Sequence, residues 1–169
     1  MGGAISVQGV WRLPTAADTV RLGAALAGSC LPGDRPRLLF LSGELGAGKT
    51  TLAAAVLDAM GVTEAVRSPS YALVETYSLE QGIAVHVDCY RLNDPRELEQ
   101  LGLRDYFAPR ALWLVEWPER AGAELPQPDL WLRLQVLDSG RAAEIESNGA
   151  AGASWLQRLQ QLLPCQSRN

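Results

Sequence analysis

Residues 43–50 read Gly43-Glu44-Leu45-Gly46-Ala47-Gly48-Lys49-Thr50, which fits the phosphate-loop pattern G-x-x-x-x-G-K-S/T. The stretch follows an apolar run at 38–41 that is typical of a buried strand. It precedes an alanine-rich segment at 51–60 that predicts a helix ended by Gly61. A strand, a glycine loop and a helix in this order predict an α/β fold that binds the phosphates of a nucleotide.

The residue types in this loop suit phosphate binding. Its glycines let successive backbone N–H groups point at phosphate oxygens, and the helix start adds free N–H donors and the positive end of a dipole. Lys49 is expected to reach the β- and γ-phosphates, and the Thr50 hydroxyl to bind Mg²⁺. Lys49 is also the only lysine of the chain, and all other residues with a permanently positive side chain are arginines. A compact ammonium is thus kept where a phosphate loop requires it.

Length and composition predict one globular domain over residues 1–169, because the chain is 47% hydrophobic. The net charge is -4 and no basic run is present, which disfavours direct gripping of nucleic acid. The cysteines are 3 in number and lack metal-ligand spacing, which favours a reducing, cytoplasmic location. No apolar stretch approaches the length of a membrane span, so no membrane association is expected.

Further elements are predicted on both sides of the loop. A first strand around Ile5, Val7 and Val10-Trp11 stops at Pro14, and a helix capped by Thr15 follows it. The downstream patterns predict paired strands at 71–77 and 83–88, a short helix from Asp94 to Gly102, a buried strand at 111–116, a hairpin of 130–137 with 141–147, a small-residue linker at 147–153 and a final helix at about 153–163.

Two acids lie at predicted strand ends, which is where ligands bind in open α/β sheets. Glu116 ends the strand at 111–116, where it can hold Mg²⁺, directly or through water, or orient the attacking water. Asp88 ends the strand at 83–88 and can organise either the metal or the water. His86 projects from the same strand face as Asp88, and both a core role and a catalytic role are open to it.

Other polar residues also leave alternatives open. Arg67 and Arg91 can neutralise a transferring phosphate, although surface ion pairing is the favoured interpretation for both. The segment Ser68-Pro69-Ser70 is either a loop whose hydroxyls sense the γ-phosphate or a plain turn, and the sequence does not choose between them.

Four motifs, in this order, make the chain resemble the TsaE (YjeE) family of bacterial ATPases, which are needed to form threonylcarbamoyladenosine in tRNAs reading codons that start with A. They are residues 43–51, Ser68-Pro69-Ser70-Tyr71-Ala72-Leu73-Val74, His86-Val87-Asp88-Cys89-Tyr90-Arg91 and Val115-Glu116-Trp117-Pro118, and the resemblance covers about residues 13–147. It implies a three-layer fold like that of phosphate-loop NTPases, with a mixed, mostly parallel central sheet.

The resemblance also implies roles for individual residues. Ser70 stands where the family usually has threonine, and Glu44 where aspartate is common. Mg²⁺ is expected near Thr50 and Glu116, and Lys49, Asp88 and Glu116 are expected to be catalytic. ATP is expected at Gly43, Leu45, Gly46, Ala47, Gly48, Lys49, Thr50 and Thr51, its adenine near Ala16, and the mobile switch at Ser68 and Ser70.

The function implied by this resemblance is Mg²⁺-dependent ATP hydrolysis with two partner proteins, TsaB and TsaD, with tRNA met mainly through their complex. Two alternatives come from other functional classes. A small-molecule kinase of the phosphate-loop class would need an acceptor pocket and usually an arginine-bearing lid, which several arginines could supply. A nucleotide-dependent binding module would hydrolyse ATP only incidentally.

Overall fold

A seven-stranded mixed sheet runs through the centre of the computed structural model, which describes residues 8–69 and 71–166. The strands are β1 (Gln8–Leu13), β2 (Arg37–Gly43), β3 (Val74–Leu79), β4 (Gly82–Asp88), β5 (Ala111–Glu116), β6 (Leu130–Val136) and β7 (Arg141–Ser147). The helices are α1 (Ala16–Ser29), α2 (Lys49–Ala59), α3 (Glu97–Gln100) and α4 (Gly149–Leu162). Within these described residues, no helix combines the length and the apolar character needed to cross a bilayer.

The sheet order is β1-β7-β6-β2-β5-β4-β3. The three central pairings, β6 with β2, β2 with β5 and β5 with β4, are parallel, whereas the outer pairings are antiparallel. Their register sets Glu116 opposite both Leu41 and Asp88, and Gly43 opposite Leu134. The carboxyl ends of the parallel strands therefore meet at one edge of the sheet.

The two faces of the sheet are covered unequally. Alternate residues of β2 point to opposite faces, so Leu39 and Leu41 pack under α1, α2 and α4, while Leu38 and Phe40 belong to the second core. That second core is closed by the short α3 and by 3₁₀ turns at 103–106, 118–120 and 122–124. Because both faces are covered, all residues of β5 are buried, as its apolar run predicted. The expected three-layer fold, with a mixed sheet that is parallel in the middle, is confirmed.

Asp129 lies at the end of the sheet where β2 and β6 begin, and it holds several elements together there. Its buried carboxylate accepts hydrogen bonds from Arg35 at 2.6 and 3.2 Å and from the backbone N–H of Leu38 at 2.9 Å. Its own N–H donates to the Leu38 carbonyl at 2.9 Å, and its carbonyl accepts from the N–H of Asn148 at 2.8 Å. One residue thus joins the starts of β2, β6 and α4.

The final helix differs from its predicted bounds. It begins at Gly149 rather than near 153, so most of the predicted linker forms its first turns. A Cβ added at Gly152 would overlap the carbonyl oxygen of Asp129 and lie 3.0 Å from its carbonyl carbon. The small residues of this stretch therefore allow the helix to pack closely against the backbone of Asp129, just before β6. The sequence pattern alone does not distinguish this close packing from a flexible linker.

The observed bounds of other elements also differ from the predicted ones. The strand predicted from residue 71 begins at Val74, because Leu73 takes a positive φ of 62° and its N–H donates to the Pro69 carbonyl, which forms a turn. The helix predicted from Asp94 to Gly102 has only one turn, Glu97–Gln100, and its N-cap residue is Arg96 rather than the predicted Asp94. The Asp94 carboxylate accepts from the N–H of Arg96 in the turn before the helix. The predicted cap of α1 is confirmed, because the Thr15 hydroxyl accepts from the N–H of Asp18 and the Asp18 carboxylate accepts from the N–H of Thr15, which together form a capping box. The predicted strand residues Ile5 and Val7 lie outside the described residues.

Candidate active site

A cleft of about 460 Å³ opens where the carboxyl ends of the parallel strands meet. It is bounded on one side by the glycine loop and the start of α2, which contribute Leu45, Gly46, Gly48, Lys49, Thr50 and Thr51. The remaining lining side chains come from separate parts of the chain: Ser68, Asp88, Tyr90, Arg91, Glu116, Trp117 and Arg141. The predicted loop and both predicted acids therefore face one cavity.

The loop has the conformation that its glycines permit. Gly46 and Gly48 adopt φ values of 79° and 105°, which side chains with a Cβ rarely take. Gly48 immediately precedes α2, and its carbonyl accepts from the N–H of Leu52 at 2.9 Å. The first N–H groups of α2 have no partner within their own helix, so this end of the cleft is suited to an anion.

Lys49 lies at the mouth of the loop and is only 4% exposed. Its ammonium donates to the carbonyl oxygens of Gly43 at 2.7 Å and Glu44 at 2.9 Å, and it lies 4.0 Å from the ring centre of Trp117. Burial lowers the pKa of Lys49, and nearby carboxylates, Glu116 first among them, oppose that shift. The amine therefore already sits where the phosphates are expected.

Glu116 connects the loop to the sheet. Its carboxylate is 2% exposed and accepts from the Thr50 hydroxyl, with distances of 3.0 and 2.9 Å to its two oxygens. The same carboxylate lies 2.8 Å from Nε2 of His86, which is completely buried. Nδ1 of His86 has no hydrogen-bond partner among the described residues. His86 is thus a core residue by burial and a positioning residue by its contact with Glu116.

Asp88 lies opposite Glu116 on the neighbouring strand and is 6% exposed. Its carboxylate accepts from the Ser68 hydroxyl and, at 2.9 Å, from the N–H of Tyr90. Its backbone N–H donates to the Leu73 carbonyl at 2.9 Å. The segment predicted as a switch is therefore tied to Asp88 on both sides of Pro69. Ser70 lies outside the described residues, so its assigned role stays a prediction.

The donor set at this point fits Mg²⁺. The Thr50 hydroxyl and the Glu116 carboxylate supply hard oxygen ligands side by side, with Asp88 on the next strand. Within the part of the chain that the structure describes, no group of three or more His, Cys, Asp or Glu side chains comes together. A cation here would therefore complete its shell with phosphate oxygens and water, which is how Mg²⁺ is commonly held.

Three lining residues, Tyr90, Trp117 and Arg141, were not singled out from the sequence. Trp117 directly follows Glu116 and so could have been proposed from its position, and its ring lies 4.9 Å from that of Tyr90. Arg141 reaches the cleft only because β7 pairs with β6 beside the loop strand, a long-range arrangement without a local signal.

Other candidate residues lie at or beyond the rim of the cleft. The guanidinium carbon of Arg91 lies 4.8 Å from the ring centre of Tyr71, whereas Arg67 is exposed and outside the lining. Ala16 is the exposed first residue of α1 and does not line the cleft. A neighbouring groove beside Thr50 and Thr51 is lined instead by Val20 of α1, so the role of Ala16 near adenine stays a prediction.

Comparisons with known proteins identify the relatives of this chain. The family model for the threonylcarbamoyl adenosine biosynthesis protein TsaE matches residues 13–144. The curated tRNA threonylcarbamoyladenosine biosynthesis protein TsaE of Haemophilus influenzae is 42% identical over 108 residues, 64% of this chain and 68% of that protein. The protein of the same name from Bacillus subtilis is 35% identical over 127 residues, covering 75% of each chain.

A solved structure is similar in fold. The crystal structure of YdiB from Bacillus subtilis superposes with a TM-score of 0.75, covering 95% of this chain and 98% of the other. The sequences are 24% identical in that alignment, so this likeness concerns the fold.

Proposed function

The chain belongs to the TsaE family, and we propose that it is the Mg²⁺-dependent ATP-hydrolysing component of the machinery that forms N6-threonylcarbamoyladenosine in tRNAs reading codons that start with A. The observation that carries this proposal is the meeting of Lys49, Thr50, Asp88 and Glu116 at one phosphate-loop cleft. The family relationship supports the pathway, and the chemistry of the cleft supports the reaction.

ATP binds through the loop before any chemistry occurs. The N–H groups at the start of α2 and the loop backbone donate to the phosphates, and Lys49 exchanges the carbonyls of Gly43 and Glu44 for phosphate oxygens. The exchange requires little movement of Lys49, because its ammonium is already fixed at the loop by those carbonyls and by the Trp117 ring. Binding therefore depends mainly on the loop and Lys49.

Hydrolysis depends on the two acids. Thr50 and Glu116 would hold Mg²⁺, which when bound neutralises charge on the phosphates. Both oxygens of Glu116 already face the Thr50 hydroxyl, and His86 holds the carboxylate from behind. Asp88 lies one strand further from the loop, so we assign to it the orientation of the attacking water. Loss of either acid should affect hydrolysis more than binding.

We expect the lone protein to be slow, because two described arginines on the side of the acids contact aromatic rings rather than a carboxylate or the phosphate loop. Arg91 lies over the Tyr71 ring, and Arg120 lies 4.9 Å from the Tyr90 ring centre. An arginine finger or an ordered switch is worth ~10³–10⁵ in rate, so a site without one turns over slowly. TsaB and TsaD would supply or order the missing element. The segment around Ser68, hydrogen-bonded to Asp88, is the element within reach of the acids.

The test measures phosphate release from γ-labelled ATP by the protein alone, with each partner, and with both. We expect slow release by the protein alone and a rise when TsaB and TsaD are present together, which Lys49→Ala abolishes. Filter binding of tRNA to the lone chain should be weak at physiological salt, given its net charge of -4. A fast lone ATPase indifferent to both partners would contradict the proposal. Transfer of the label to a small-molecule acceptor would favour the kinase alternative instead.

A further inference from the structure

A second cavity, of about 330 Å³, lies at the edge of the sheet opposite to the phosphate-loop cleft. It is lined by the first residues of β2 and β5, Arg37 and Ala111, and by the turn that joins β3 to β4. Residues at the ends of α1 and α2 close it. Because β2 and β5 begin here and end at the phosphate loop, the length of these strands separates the two cavities.

Most of the wall of this cavity is apolar. Met60, Leu79 and Leu112 line it, together with the half-buried thiol of Cys30. Burial raises the pKa of Cys30 to about 12, although the nearby guanidinium of Arg37 opposes that shift. The thiol is therefore neutral and adds no charge to the wall. An apolar wall with a few polar groups, in a cavity of this size, is typical of a site for a small organic molecule.

The charged side chains that line the cavity are those of Arg37, Arg110 and Glu80. In residues 8–69 and 71–166, none of the three lies within ion-pair distance of an opposite charge. Nε of Arg37 donates to the Leu31 carbonyl at 3.3 Å, which leaves the Nη groups available to a ligand. Two guanidiniums and one carboxylate leave one positive charge in excess, so the lining is complementary to a monoanion.

Both arginines are held in place through Gly33. The Arg37 guanidinium covers Gly33 so closely that an added Cβ would overlap Nη2 and lie 2.8 Å from Cζ. The Gly33 carbonyl accepts from the N–H of Arg110 at 3.0 Å, and Arg110 has a φ of 61°. The other described non-glycine residues with positive φ are Leu73 and Trp117, beside the two acids of the phosphate-loop cleft. Backbone strain of this kind concentrates at functional sites.

The helix end beside the cavity does not require these guanidiniums. The last carbonyls of a helix attract cations, and α1 ends at this cavity. Residues of α4 already satisfy them, because Trp155 Nε1 donates to the Leu26 carbonyl at 3.1 Å and Arg158 Nε to the Ser29 carbonyl at 2.8 Å. Arg37 and Arg110 are therefore available to an anion.

We propose that this cavity is a second ligand-binding site, which takes a small organic monocarboxylate with an apolar body. Arg37 and Arg110 hold the carboxylate, and Met60 and Leu112 contact the apolar body. Glu80 repels a second negative charge, so a dianion such as a phosphate ester binds less well. The inference is independent of ATP hydrolysis, and because the site lies at the opposite edge of the sheet, its ligand binds together with a nucleotide.

Titration of the ¹⁵N-labelled full chain with phenylacetate, followed by two-dimensional NMR, tests the site. Phenylacetamide has the same body without the charge, and acetate has the charge without the body. We expect phenylacetate to shift the amide signals of Gly28, Gln81 and Ala111 with a Kd below about 10 mM, and both comparison compounds to bind at least about 10-fold more weakly. Saturating Mg²⁺-ATP and the Lys49→Ala variant should leave the Kd of phenylacetate unchanged.

Arg37→Gln and Arg110→Gln test the two arginines separately. Each should raise the Kd of phenylacetate about 10-fold, the scale of one charge-assisted hydrogen bond. Arg104→Gln is the matched control, because Arg104 is exposed and lies outside the lining, and it should leave the Kd unchanged. Circular dichroism establishes that each variant is folded. If one arginine variant does not fold, the other variant and the comparison of the three compounds still decide.

The contrary results are distinct. Absence of saturable binding by phenylacetate, or equal binding of phenylacetamide, overturns the proposal. Loss of binding in Lys49→Ala or with ATP means that the carboxylate occupies the phosphate loop instead. An equal effect of Arg104→Gln reduces the attraction to general charge. A change in only one of the folded Arg37→Gln and Arg110→Gln variants refutes the shared hold on the carboxylate.

Discussion

Replacing Gly152 by alanine tests the packing of the final helix against the backbone of Asp129, the residue before β6. The added Cβ would overlap the Asp129 carbonyl oxygen, and its distance to the carbonyl carbon would be 3.0 Å. Asp129 cannot readily move away, because its backbone and carboxylate hold Arg35, Leu38 and Asn148 through hydrogen bonds. The helix itself must therefore shift.

The expected cost follows from two opposing effects. Overpacking a tight contact costs about 1–3 kcal/mol, and an overlap with a backbone oxygen that is held in place puts this substitution in the upper part of that range, about 2–3 kcal/mol. Alanine regains about 1 kcal/mol over glycine inside a helix. The net loss in the free energy of unfolding is therefore about 1–2 kcal/mol, which lowers the Tm of a domain of this size by roughly 2–8 °C.

Gly28→Ala is the matched control. It also lies inside a helix, α1, but its added Cβ would meet only Leu162 Cδ1 at an ordinary 3.6 Å. The propensity gain should then prevail and raise Tm by roughly 1–4 °C. Thermal unfolding followed by circular dichroism measures both variants. If Gly152→Ala is neutral or stabilising like Gly28→Ala, residues 147–153 are the loose linker that the sequence suggested, and the packing argument fails.

Two further predictions concern the cleft. The Lys49→Ala variant should fold, lose ATP hydrolysis and bind ATP roughly 10- to 100-fold more weakly, which is the scale of a charge-assisted hydrogen bond to phosphate. Titration calorimetry measures the binding and phosphate release measures the hydrolysis. Unimpaired turnover in a folded variant would refute the assignment of the site. Asp88→Ala and Glu116→Ala should each lose hydrolysis but retain appreciable ATP affinity, because the loop amides and Lys49 bind the phosphates whereas the acids act on metal and water. Wild-type turnover in either variant would make that acid structural.

The parts of the site that were predictable from the sequence are those encoded locally. The loop at 43–50 carries its own geometry, and Glu116 and Asp88 could be placed because each ends an apolar strand. Parallel strands share an edge for their carboxyl ends, so two local observations sufficed to bring the acids together. The same reasoning could not place Arg141, since its approach depends on which strand lies beside β2.

The predictions of element bounds that were wrong share another cause, which is that the same residue types occur in two different kinds of structure. Glycine and alanine at 149–153 serve equally in a flexible linker and in a closely packed helix, and only the position of Asp129 decides between them. Tyr71 favours a strand by propensity, yet the positive φ of Leu73 and the hydrogen bond from its N–H to the Pro69 carbonyl form a turn instead. Tertiary contacts overrode local preference in both places.

Because the chain has a single lysine, chemistry that acts on lysine side chains can modify it at one position only. Any enzyme or reagent that acylates lysine, and any protease that cleaves after lysine, has one target in the chain, Lys49. Lys49 is 4% exposed and its ammonium is hydrogen-bonded to two loop carbonyls, and burial lowers its pKa from the ordinary value. Bound phosphate would shield the same nitrogen. Chemistry directed at lysine therefore acts on this protein at the phosphate loop or not at all.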